Sequence, residues 1–354
     1  MSTGWATAPG TDEARRLLVP LAAAAPGASA VAVGAHRGGR RLLAATGTTE
    51  HGGGRAAGEH TPFEIGSVTK TFTALLLADL AAAGVVAYDD PVERHLPPGT
   101  APRPRGGGRV TLLHLATHTS GLRRLPPGLL RSAAPRWYSN PYERFGPGDL
   151  LAATPRARPF ARPGERVRYS NFGVALLGLA LAGAAGTDYE SLLAERVLRP
   201  LGLADTGPGD APGRATGYWH RRARPDWRIP GLAAAGALRS TADDLLRYLE
   251  AHLAPGAAAP HDGALRTALT EVTRARLADP PGGDRICLVW NARLRPGHEL
   301  YFHSGGTRGC TVFTGFSPQR GVAFTALANT SPGVRGAFVQ RAYLTLRALA
   351  TAPD

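Results

Sequence analysis

Strand signals gather at the two ends of this chain, and that arrangement limits the possible folds more than any other feature. Ala30–Gly34 and Arg41–Gly47 read as two strands joined by the turn Arg37-Gly-Gly. At the other end, strand signals recur at Arg285–Arg293, Glu299–His303, Cys310–Phe316 and Val322–Ala328, with Ser317-Pro-Gln-Arg-Gly321 as a turn. Between them, from about residue 85 to 230, the chain is rich in Pro and Gly and carries short helices and long loops. Residues 11–24, Thr241–Leu253 (entered through Ser240-Thr241) and Gly333–Ala350 read as helices. One antiparallel sheet built from both chain ends, flanked by helices from both ends, satisfies this order. The class is α/β in the α+β sense. At 354 residues the chain exceeds what one core usually supports. Two lobes are expected: residues 1–84 and 235–354 around the sheet, and residues 85–234 as a mostly helical lobe.

The chemistry begins with one residue type. The chain has 41 basic residues, of which only Lys70 is a lysine; the rest are arginines. Arginine is effectively never deprotonated, whereas lysine loses its proton where its surroundings disfavour the charge. The only side chain able to act as a neutral amine therefore lies three residues after Ser67, in Phe63-Glu-Ile-Gly-Ser-Val-Thr-Lys70. Ser67 is placed to open the apolar helix Thr71–Leu80, and positions three apart share a helix face. A cation in the first turn opposes the helix dipole, which lowers its pKa. The position lies at a cleft and not in the centre of the helix's apolar face.

Two further elements carry chemistry. Tyr169-Ser-Asn171 follows the Pro-Gly pair of Arg162-Pro-Gly-Glu and leads into Phe172–Leu181, an apolar run of helical length. An identical tripeptide, Tyr138-Ser-Asn140, is followed by Pro141, which disfavours helix at Asn140, and by no apolar helix. Tyr169 is therefore chosen, and Tyr138, with Trp137 and Tyr142, is assigned to loop packing or a pocket wall. The third element is His303-Ser304-Gly305-Gly306, inside the strand-like Glu299–Gly309.

Three such motifs in this order, about a hundred or more residues apart, resemble the serine β-lactamase and penicillin-recognising family. The nearest pattern is its class C branch, with D-alanyl-D-alanine carboxypeptidases and related esterases and acyltransferases. Val110–Leu122, with its Thr-His-Thr-Ser-Gly, and Gly236–Leu245 also look like that family, so the likeness runs from about residue 60 to 330. The resemblance implies a β-lactamase/transpeptidase-like fold with its active site in the cleft between lobes. It implies that Ser67 forms an acyl-enzyme, with a neutral Lys70 or a Tyr169 phenolate taking the serine proton. Either arrangement is physically sound, and the sequence leaves both open. It further implies that Asn171 holds Lys70 or a substrate amide, and that backbone N–H groups of Ser67 and Gly306 hold the oxyanion. His303, Ser304 and Gly305 complete the expected substrate-binding strand.

His303 stands where β-lactamases usually have the lysine of Lys-Thr-Gly. Histidine is largely neutral at pH 7 and supplies a weaker, switchable charge. That departure puts efficient recognition of a penicillin carboxylate in doubt; Arg308 either supplies a fixed charge instead or is a surface arginine.

The net charge of +14 raises nucleic acid as a partner. The arginines are spread from Arg15 to Arg347, however, without a recognised module or interleaved stacking aromatics. Coding bias toward arginine accounts for the charge. The longest apolar stretches, Thr71–Val86 and Phe172–Ala185, are interrupted or too short for a membrane span. The first residues lack a basic start followed by an apolar core, and the only cysteines, Cys287 and Cys310, form no disulfide framework. A cytoplasmic protein with reduced thiols is expected. His114 and His118 have i, i+4 spacing, but their family context assigns them to a loop and not to a metal; no cofactor is expected. The expected function is serine-dependent hydrolysis of a small-molecule ester or amide. The alternative is acyl transfer to an amine or alcohol, as in relatives from secondary metabolism. A non-catalytic binding protein is the minor third reading.

Overall fold

The computed structural model describes residues 12–103, 105–134, 139–278 and 284–352. In chain order its strands are β1 Ala30–Arg37, β2 Arg40–Glu50, β3 Gly53–Ala56, β4 Phe63–Glu64, β5 Tyr218–Trp219, β6 Arg222–Ala223, β7 Arg239–Ser240, β8 Leu277–Ala278, β9 Asp284–Ile286, β10 Asn291–Arg295, β11 His298–Gly306, β12 Thr311–Ser317 and β13 Val322–Ala328. Nine of them form one antiparallel sheet in the order β3-β2-β1-β13-β12-β11-β10-β9-β8. The seam between the chain ends is β1 against β13, with Val33 opposite Ala326. The β1–β2 hairpin turns on Gly38 and Gly39, whose φ values of 56° and 73° suit a two-residue turn that twists with its strands.

The helices are α1 Asp12–Ala23, α2 Thr69–Ala82, α3 Leu112–Ala116, α4 Leu129–Ala133, α5 Pro147–Ala153, α6 Asn171–Ala185, α7 Tyr189–Leu193, α8 Ala233–Gly236, α9 Ala242–Leu253, α10 Pro255–Ala258, α11 Gly263–Glu271 and α12 Ala337–Thr351. Every residue of β12 and β13 is buried, because helices cover both faces of the sheet. Val322, Phe324 and Ala326 face α1 and α12, packing with Leu18, Leu21, Phe338 and Leu346. Ala323 and Leu327 face the other way, into the larger core that holds α2, α6 and α9. Alternation along a strand thus assigns side chains to two separate cores. Helix α2 is buried on all sides from Thr69 to Leu80, which explains why its sequence shows no polar face. Its Phe72 stacks on Tyr248 of α9 at 4.1 Å, and full burial of such a ring stabilises by about 2 kcal/mol.

Three local expectations need correction. The stretch Arg285–Arg293 is not one strand: β9 and β10 form a hairpin around Cys287–Trp290. Val289 has φ 66°, and Cys287 and Trp290 close the turn through a 2.9 Å backbone bond, so an apolar run forms a buried turn. The last helix begins at Ala337 because Gly336, at φ 59°, breaks the chain's helical path. Ser67 does not cap α2 but sits in a 3-10 turn, Gly66–Val68, ahead of it. Among the described residues no single helix is long and apolar enough to cross a membrane; α6 and the segment Tyr189–Leu198 are bent by 82°.

Candidate active site

From Phe63 to Leu80, Ser67 is the one residue that is not buried. Its turn lies against the end of β11. Gly66 has φ 49°, and a Cβ there would lie 2.6 Å from the Gly306 carbonyl oxygen. A Cβ on Gly305 would lie 2.0 Å from the Ile65 oxygen and 3.0 Å from the Ser67 nitrogen. The missing side chains of Gly66 and Gly305 are therefore what let β11 approach the Ser67 backbone so closely.

Two side chains converge on Ser67 Oγ. Lys70 Nζ donates to it at 3.0 Å, and Tyr169 OH at 2.7 Å. Lys70 is fully buried, its Nζ also donates to the Ala235 carbonyl at 2.5 Å, and it lies 5.0 Å from the centre of the Tyr169 ring. The expectation of a cleft position for Lys70 is thus corrected: the amine reaches the cleft from inside the core. Burial pushes the Lys70 pKa down, Tyr169 opposes the shift, and the charge of Arg124 adds to it.

Tyr169 is held at the entrance to α6. Ser170 caps that helix, accepting from the Gly173 N–H at 2.8 Å while its hydroxyl donates to the Arg123 carbonyl at 2.8 Å. Asn171, the first residue of α6, does not hold Lys70. Its Oδ1 is buried without a partner among the described residues, and the lysine amine donates to Ser67 Oγ and the Ala235 carbonyl.

A cavity of about 230 Å³ opens over Ser67, walled by Arg124, Tyr142, Asn171, Trp227, Gly306 and Arg308. Tyr142 and Trp227 meet edge to face at 5.2 Å. Arg124 lies 5.5 Å above the Tyr169 ring. Asn171, Gly306 and Arg308 therefore belong to the cavity wall, whereas His303, Ser304 and Gly305 are not part of it. His303 is buried, with its Nδ1 unpartnered among the described residues. Burial and the Lys70 charge pull its pKa to about 3, so it carries no switchable charge near neutrality, contrary to expectation. Trp137 and Tyr138 lie outside the described residues. Arg124 and Trp227 were not legible as site residues: both sit in arginine-rich loops that composition explained away. The only signal is that Arg124 lies two residues after the Thr-His-Thr-Ser-Gly-Leu stretch.

A buried carboxylate braces two walls. Glu64 accepts from Thr307 Oγ1 at 2.6 Å and from the Trp227 backbone N–H at 2.8 Å. Burial raises its pKa, and those two donors with Arg239 work against the rise. His114 and His118 serve separate ends. His114 Nδ1 accepts the Thr111 N–H in a capping arrangement at the start of α3, and His118 lies beyond that helix at φ 60°.

The family model described as Beta-lactamase matches residues 14–349. The chain is 28% identical over 321 residues to the D-alanyl-D-alanine-carboxypeptidase/endopeptidase AmpH of Escherichia coli (strain K12), covering 87% of this chain and 81% of that one. It is 27% identical over 304 residues to a beta-lactamase of Pseudomonas fluorescens, covering 77% and 80%. A solved class C beta-lactamase superposes with a TM-score of 0.80 at 22% identity, covering 99% of this chain and all of that one, a likeness of fold.

Proposed function

The chain belongs to the Beta-lactamase family of serine-hydrolase-type enzymes, and on that premise we propose that Ser67 is its nucleophile and Lys70 with Tyr169 its proton-handling pair. The observation that carries this reading is the convergence of an amine and a phenol on one partly exposed hydroxyl oxygen. Ser67 Oγ attacks the carbonyl carbon of an ester or amide while its proton passes to the pair. Lys70, with a pKa lowered by burial, is suited to accept it, and Tyr169 lies within reach to pass it on to the leaving group. Backbone N–H groups of Ser67 and Gly306 would bind the oxyanion, a role supported by the close packing of the Gly66 turn on β11. The leaving alcohol or amine departs protonated. Water then adds to the acyl carbon, and its proton returns Oγ to the hydroxyl form.

The cavity supports a small acyl donor with a flat apolar group against Tyr142 and Trp227 and an anionic group between Arg124 and Arg308. The unpartnered Asn171 Oδ1 suits an N–H of the substrate. A cytoplasmic location is also proposed. Both cysteines are buried and unpaired, as in a reducing compartment.

Intact mass spectrometry with p-nitrophenyl esters and a reactive phosphonate tests the reading. Ser67 should gain one acyl or phosphonyl group, and Ser67→Ala should lose both labelling and turnover. Equal labelling of the alanine variant would remove Ser67 as nucleophile. Including amine acceptors separates the outcomes of the second step: free acid marks hydrolysis, and an amide product marks transfer.

A further inference from the structure

The loop after α3 is stitched to the segment that carries Tyr169. The Gly164 N–H donates to the Thr119 carbonyl at 2.8 Å, the Arg168 N–H to the His118 carbonyl at 2.8 Å, and the Phe172 N–H to the Arg124 carbonyl at 3.1 Å. His118 stands in the middle of this seam. Its ring Nδ1 accepts the Ser170 N–H at 3.3 Å, and the ring packs on the Tyr169 ring with centroids 4.7 Å apart. One residue thus holds the backbone on both sides of Tyr169 and one face of its phenol. It does so from a left-handed conformation, φ 60°, which aims the carbonyl and the ring at the same three-residue segment.

We infer that His118 is a positioning residue for Tyr169, clamping Arg168, Tyr169 and Ser170 so that the phenol oxygen stays at hydrogen-bond distance from Ser67 Oγ. The acceptor role of Nδ1 requires the ring proton on Nε2 and forbids the doubly protonated ring. Burial, with the charge of Lys70 nearby, pulls the pKa to about 3 and so keeps the ring neutral, while Nε2 is buried without a partner among the described residues. His118 does not line the cavity, and its contacts with the Tyr169 ring and the Ser170 N–H reach the site through Tyr169. Neither the i, i+4 spacing with His114 nor the surrounding Thr-His-Thr-Ser-Gly motif conveys this role, because it depends on contacts about fifty residues away.

The inference rests on Tyr169 handling the Ser67 proton, so the test must separate the two ideas. Asparagine tolerates positive φ, and its Oδ1 falls where the histidine Nδ1 lies, so His118→Asn keeps the acceptor without the ring. His118→Gly accepts the same φ and offers neither. The acylation rate, kcat and KM with a p-nitrophenyl ester are measured for both, beside Tyr169→Phe and Tyr138→Phe and well below each melting temperature. Tyr169→Phe should lose at least about a hundredfold in kcat, and Tyr138→Phe should stay within severalfold of the parent. His118→Gly should lose roughly a hundredfold in kcat with KM changed by less than about threefold, and His118→Asn should recover about tenfold of that loss. If the glycine variant does not melt cooperatively, His118→Ala takes its place with the same expectations. A glycine or alanine variant acylated at the parental rate, while Tyr169→Phe is inactive, overturns the positioning role. Equal losses in the asparagine and glycine variants overturn the part assigned to Nδ1. A near-parental Tyr169→Phe overturns the reading of Tyr169 itself.

Discussion

The carboxylate of Glu64 accepts the hydroxyl hydrogen of Thr307 at 2.6 Å, joining residues 243 positions apart. Thr307 Oγ1 in turn accepts the N–H groups of Gly309 and Cys310 at 3.1 and 2.9 Å, so its own proton is committed to Glu64. The other Glu64 oxygen takes the Trp227 N–H. The strand entering the Ser67 turn is thereby tied to two walls of the cavity, next to Arg308 on one side and at Trp227 on the other.

Glu64→Gln keeps the shape of the side chain but turns one acceptor into a donor, facing either the Thr307 hydroxyl or the Trp227 N–H. Leaving such a buried group unsatisfied costs about 1–3 kcal/mol. The variant should melt lower by that equivalent and lose kcat/KM through a raised KM, because the cavity walls shift while Ser67 keeps its partners. Unchanged melting and KM would show that the brace is dispensable.

Lys70→Met keeps the length of the side chain in a fully buried position and removes the amine. It should fold at least as stably as the parent, since no ionisable group is then enclosed. Acylation of Ser67 should fall by at least about a hundredfold. Lys70→Arg should fail differently: a larger, permanently charged group overpacks the site and lowers stability by about 1–3 kcal/mol as well as abolishing acylation. Acylation of the methionine variant at near the parental rate would mean that the amine is not needed.

Stability should fall with acid through buried histidines. His118 and His303 have pKa values near 3 and His252 near 4 in the folded chain, because burial disfavours their charged forms. The unfolded chain takes up these protons as pH drops through about 6.5, while the folded chain does so only near 3 to 4. Their stabilising neutrality is therefore complete above about pH 6.5 and is lost progressively below it, by up to about 1.4 kcal/mol per pH unit for each residue. His252 stacks on Phe316 at 4.9 Å, away from Ser67, so His252→Phe isolates one contribution. Its denaturation midpoint should depend less steeply on pH between 6 and 4.5 than the parent's. Parallel slopes would contradict the assignment.

The sheet built from both chain ends was legible because period-two patterning and turn residues mark β1, β2, β11, β12 and β13 directly. The Cys287–Trp290 turn was not, because a buried turn has the same apolar composition as a strand and only Val289's backbone angle distinguishes them. Ser67, Lys70 and Tyr169 could be picked out by residue type and neighbours, and the structure brings them together. The cavity walls could not. Arg124, Trp227 and Glu64 matter through contacts between distant segments, and nothing local to them differs from a surface arginine, a loop tryptophan or a strand glutamate. His303 misled for the same reason: a sequence gives the identity of a titratable group, whereas its charge is set by how deeply the fold encloses it.

The close approach of Gly305 and Gly306 to the Ser67 turn has a consequence for biosynthesis. Ser67 leaves the ribosome long before β11 exists, and only β11 places Gly306 beside it. Such sequence-distant contacts slow folding, because chain entropy is lost before they form. On the proposed mechanism, a partly made or partly folded chain has its serine but no pocket for the oxyanion. Acylation by an activated ester is then a readout of that contact, and the rate at which refolding chains gain it measures the seating of β11.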